Sequence, residues 1–165
     1  MSLNDAPQQA ALPLAGCVVV ERSRSVAAAY AGRLLASLGA QVLMLEPPGG
    51  SPLRTAPPLI EGTPESALFT YLALGKRSLV CDLATRAGRE RLQQELARAD
   101  ILIDDTPVRE RAVLGLEPAA LMQGHPNLVL VSVLPFGASG PKADWTGEEV
   151  NLMHAGGEGF LLPNG

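Results

Sequence analysis

Two adjacent carboxylates, Glu148 and Glu149, follow Gly147 and precede the run Val150-Asn151-Leu152-Met153-His154-Ala155, which Gly156-Gly157 closes. An ionised carboxylate aimed at an electrophilic carbon is a nucleophile. The same group in the first turn of a helix simply favours the helix dipole, and the pattern predicts a helix over Glu148–His154. A basic pair, Lys76-Arg77, stands before an apolar stretch. Its charges could meet phosphates or face solvent. His125, before Pro126, and His154 have no partner at metal-ligand spacing, so no metal centre is expected. The turn Glu21-Arg22-Ser23-Arg24-Ser25-Val26-Ala27 lacks the GxGxxG glycines that let a pyrophosphate approach the backbone. Neither GxxxxGK[ST] nor GxSxG occurs. These missing parts argue against NAD, ATP and serine-nucleophile chemistry.

The elements that must carry these groups alternate in period. Cys17–Val20, Gln41–Glu46, Ser78–Leu83, Asp100–Ile103 and Leu128–Leu134 are short apolar runs read as strands. Val26–Leu38 has helical spacing and stops at Gly39. Ser66–Leu74 and Arg86–Ala97 read as helices, the latter with Leu92 and Leu96 one turn apart, and Pro118–Gln123 as a helical turn. Pro47–Pro64 is a loop rich in Pro and Gly. Strands separated by helices predict an α/β fold. The expected form is a Rossmann-like, open, mainly parallel sheet with helices on both faces. The stretch Gly137–Gly165 ends on glycines without a closing element, so residues 13–165 are expected to be one piece of a longer protein.

With 165 residues, 47% of them hydrophobic and 18% charged, the chain is long enough for a core and too apolar for disorder. A net charge of -4 argues against nucleic acid as a partner. Cys17 and Cys81 fall in strands without a CxxC partner and read as free thiols of a reducing, cytoplasmic compartment. No apolar run approaches the roughly 20 residues of a membrane span. Residues 1–12 lack the regions of a signal peptide and read as a flexible leader.

Several segments, in order, resemble the class III CoA-transferases of the CaiB/BaiF type, which include formyl-CoA transferase. They are Leu12-Pro13-Leu14-Ala15-Gly16; LLASLGAQV from Leu34 to Val42; EPPGG from Glu46 to Gly50; KRSLVCDL from Lys76 to Leu83; and ADILI from Ala99 to Ile103. Leu114-Gly115-Leu116, Pro126-Asn127-Leu128-Val129, Phe136-Gly137, Gly140-Pro141 and Ala143-Asp144 continue the series. The resemblance implies the Rossmann-like part of a large domain, with the second domain and a returning segment lying outside these residues. It implies transfer of CoA from an acyl-CoA donor to a carboxylic acid acceptor, with acyl-CoA as substrate and two chains interlocked as a homodimer. The oligomeric state of this piece alone stays open.

The same resemblance assigns site residues. The family's nucleophilic Asp falls on Glu149, which would attack the thioester to give a mixed anhydride. Arg24, Ser25 and Ala27 occupy its CoA-contacting first turn, and Lys76 and Arg77 match its basic pair. Asp105-Thr106 stands where the family has Asn-Phe, and Val113 where it has Arg. These departures add an acid and remove a base and an aromatic around an anionic ligand. They leave open a second reading, a non-catalytic family domain with a structural or dimerising role. An unrelated flavodoxin-like binding domain is the third.

Overall fold

The computed structural model describes residues 12–161; the leader expected over residues 1–12 lies almost wholly outside them. Five strands form one sheet: β1 (Val18–Arg22), β2 (Gln41–Glu46), β3 (Lys76–Val80), β4 (Ile101–Asp104) and β5 (Val129–Ser132). Their spatial order is β3-β2-β1-β4-β5, and every neighbouring pair is parallel. The chain therefore walks outward from β1 to β3, crosses back, and continues outward through β4 and β5. This reversal opens a crevice beside the carboxyl end of β1.

Alternation along the strands feeds two cores. Val20, Leu45 and Leu102 point to the face where Leu92 and Leu96 of α3 (Arg86–Leu96) and Leu121 of a later helix pack. Val19, Val42 and Ile103 point to the other face, against Ala28 of the first helix, α1 (Val26–Ser37). Small residues let α1 lie close to the sheet: Ala28, Ala29 and Gly32 are its buried positions. Ser25 caps α1, accepting a hydrogen bond from the Ala28 N–H. Gly39, at a φ of +100°, ends the helix in a conformation that a side chain would strain.

Between β2 and β3 lie a 3-10 turn (Pro52–Thr55) and α2 (Ala67–Ala73). After β4 come α4 (Val108–Leu114) and α5 (Pro118–Gly124). After β5 come α6 (Glu149–Ala155) and α7 (Glu158–Leu161). The strand bounds shift by up to a few residues from the sequence expectation, mostly towards carboxyl ends at β1 and towards the amino end at β3. Helix α4 was not expected. Its start after Pro107 carries no side-chain cap, although Gly115, at a left-handed φ of +73°, marks its end. No helix of the described residues is long and apolar enough to cross a membrane.

Candidate functional site

The first strand-to-helix turn is held by an acid from a neighbouring strand end. Asp105 directly follows β4, and its Oδ2 accepts hydrogen bonds from the backbone N–H of Arg24 at 2.7 Å and of Ser25 at 2.6 Å. The Arg24 guanidinium turns to Glu110 of α4, 3.3 Å away. Below the turn, a second network fixes the end of β4. Thr106 is fully buried and bonds to Asp104 and Arg22, while Arg111 donates from Nε to the Thr106 carbonyl at 3.0 Å and places Nη2 3.3 Å from Asp104. Burial pushes the Asp104 carboxyl above its usual range, against the opposing pull of Thr106 and the arginines.

Above this floor opens a cleft of about 850 Å³ beyond the carboxyl ends of β1, β4 and β5. Arg24, Ser25, Ala27 and Asp105 line one side. Glu148, Leu152, Ala155 and Gly156, at the start and along α6, line the opposite one. Phe136 and Trp145 form an aromatic wall, their rings edge-to-face at 5.9 Å with Lys142 over both. The other charged residues of the lining are Arg109, Glu110 and Asp144, so acids outnumber bases.

The carboxylate pair splits at this cleft. Glu148 lines it and caps α6, its N–H donating to Asn151 Oδ1 at 2.7 Å. Glu149 lies in the first turn of α6, exposed. Unlike Glu148, the extended N-cap residue before it, Glu149 is not part of the cleft lining. Thr106 lies beneath the cleft and does not reach it.

Lys76 is elsewhere. Its amine is buried under α1, 2.6 Å from Glu21 Oε2 and 2.7 Å from the Ala29 carbonyl, and Ser23 donates to the other Glu21 oxygen at 2.6 Å. Burial lowers the Lys76 amine below its ordinary value and raises the Glu21 carboxyl above its own. Arg77, the next residue on the strand, is exposed. Thus the structure brings together Arg24, Ser25, Ala27 and Asp105, leaves Glu149 exposed outside their cleft's lining next to Glu148, and separates Lys76, Arg77 and Thr106 from it.

A smaller concavity of about 460 Å³ lies on the other side of the first turn, at the ends of β1, β2 and β3. Its lining includes Arg22, Arg24 and Arg54. Arg54 is committed to Glu46, at 2.6 and 2.7 Å, and Ser51 N–H and Ser78 also donate to that carboxylate. These donors, Arg54 foremost, bring Glu46 down to about 2. Among the described residues, no three His, Cys, Asp or Glu side chains gather into a group that could hold a metal ion.

A family model described as CoA-transferase family III matches residues 14–161. The chain belongs to that family. Among curated family relatives, the succinate–glutarate CoA-transferase of Agrobacterium fabrum is 33% identical over 93% of this chain and 39% of its own length. A probable CoA-transferase of Mycobacterium tuberculosis is 41% identical over 68% of this chain and 14% of its own. Of solved structures, a CaiB/BaiF family protein from Brucella suis superposes with a TM-score of 0.80 at 34% identity, covering 88% of this chain and 39% of that one. The chain therefore spans about two-fifths, or less, of the relatives it matches. The Rossmann-like, parallel α/β unit is shared with the family III fold.

The sequence did not single out Arg109, Glu110 or the Phe136–Trp145 wall, and of the Glu148–Glu149 pair the resemblance chose Glu149. Only one signal was available, the first-turn Glu pair, and spacing cannot say which member faces inward. The loops that bring α4 and the 133–147 segment to the cleft carry no periodicity.

Proposed function

We propose that this chain supplies the acyl-CoA-binding part of the large domain of a class III CoA-transferase, with Glu149 as nucleophile. The supporting observation is the family match over residues 14–161, which carries the nucleophile's position onto the first turn of α6 beside the cleft. A Glu149 oxygen attacks the thioester carbonyl, the C–S bond breaks, and its electron pair leaves on the CoA sulfur. A mixed anhydride remains, and CoA passes to the acceptor carboxylate in later steps. Backbone N–H groups near the α6 start suit an ionised carboxylate. In the full-length transferase, two copies interlock and the second domain closes the site. A reducing compartment, the cytoplasm, suits the free thiols of Cys17 and Cys81.

A second reading has its own observation. Glu149 stands outside the cleft lining, and Asp105 adds an acid to it, which fits a family domain with a structural or dimerising role. The two separate on one substitution. Glu149→Gln in the full-length transferase should abolish acyl transfer with its melting temperature nearly unchanged. Under the structural reading, activity is unaltered and only a helix-dipole effect of about 0.3–1 kcal/mol appears.

A further inference from the structure

The N-terminus of α1 is where a Rossmann-like fold ordinarily receives an anion, because free N–H groups and the helix dipole converge there. Here that position is already filled. Both N–H groups of the turn, from Arg24 and Ser25, point at one oxygen of Asp105. The other oxygen, Oδ1, is buried without a hydrogen-bond partner. The cations of the turn are committed elsewhere, Arg24 to Glu110 and Arg22 to Thr106 and Asp104. Glu148 and Asp144 add further negative charge to the cleft lining, against Arg109 in the lining and Lys142 over the Phe136 and Trp145 rings.

We infer that Asp105 is a built-in counter-anion that excludes phosphate and other anions from the start of α1, so that this cleft selects an uncharged portion of its ligand. Asp105 is a specificity-determining residue in this sense, acting by occupancy and by charge. The inference goes beyond the transferase reading and does not depend on it, because it is read with inorganic phosphate alone.

The test is a phosphate titration of the 15N-labelled chain at neutral pH, followed at the amide resonances of Arg24 and Ser25. In the wild type those resonances show no saturable shift. Asp105→Ala frees the N–H pair and should bind phosphate at least about tenfold more tightly. Asp105→Asn keeps an acceptor oxygen but loses the charge. It should gain about fivefold, the effect of one unit charge at about 4 Å in water. The Asn variant keeps the size and cap of the native residue, so it decides the matter if the Ala variant does not fold. Saturable phosphate binding by the wild type, or no gain in a folded variant, overturns the inference.

Discussion

Glu46 ends β2 with its carboxylate committed to Arg54, Ser51 and Ser78, and its acidity shows in the stability of the fold. Its folded value of about 2 lies below the ordinary 4.5, so the unfolded chain binds a proton first. The stabilisation is complete above about pH 4.5 and is lost as pH falls towards 2. Arg54 is half exposed, so solvent screening reduces the contribution to about 1–2 kcal/mol. Glu21 and Asp104, whose values are raised, slope the other way in the same range. The difference between wild type and Glu46→Gln in urea unfolding from pH 5 to 2 isolates Glu46. That difference should shrink as pH falls, and a constant difference would count against the account. Lys76 makes an opposite case. Removing its charge with Lys76→Met strands Glu21 in the interior, a loss of about 3–5 kcal/mol. The double variant with Glu21→Leu should recover most of this in denaturant midpoints. Lys76 and Arg77 read as one basic pair in the sequence. Neighbours on a strand point to opposite faces, so one is buried and the other exposed, and only the strand assignment could have separated them.

At the scale of elements, α1 depends on a close approach that its sequence shows only as a glycine. A Cβ on Gly32 would stand 1.7 Å from Glu21 Oε2 and 3.2 Å from the Lys76 amine. Gly32→Ala gains about 1 kcal/mol of helix propensity and loses more by displacing a buried, fully bonded pair. A net destabilisation of about 1–3 kcal/mol is expected from overpacking, measured by thermal or urea unfolding; a stabilised Gly32→Ala protein would show the pair to be looser than described. The five strands were legible because each is a short apolar run between turn residues. The caps of α1 and α3, Ser25 and Thr85, are ordinary N-cap residues. Helix α4 was not legible: it is short, mixed in polarity, and anchored by the buried Arg111, whose partners Asp104 and Thr106 come from the end of β4 and the loop after it. The edge strand β5 had the most apolar sequence, yet Val129 is 57% exposed. Apolarity in the sequence identified the strand but not its neighbour.

At the scale of the molecule, the cleft lies between two walls. One wall is the turn before α1 and the acid after β4, and the other is α6. The resemblance supplied the order of these segments and the position of Glu149. It did not supply the inward turn of Glu148, which caps α6 through Asn151, or the burial of Lys76, which pairs with this chain's own Glu21. Relatives extend well beyond the matched region, and under the proposed transferase reading the oxyanion donors and water exclusion of a closed site come from that remainder. Loss of a single oxyanion donor costs about 10²–10³ in turnover. The 165-residue chain alone should therefore show no turnover of an acyl-CoA and carboxylate pair; measurable CoA exchange by the purified chain would contradict this. The measurement that tests the central claim most directly is chemical trapping in the full-length transferase. The enzyme is incubated with an acyl-CoA and hydroxylamine, digested, and the peptide spanning α6 is sequenced by mass spectrometry. The account predicts a hydroxamate on Glu149, with free CoA released alongside. A hydroxamate on Glu148 instead, or CoA transfer with neither residue modified, would contradict it.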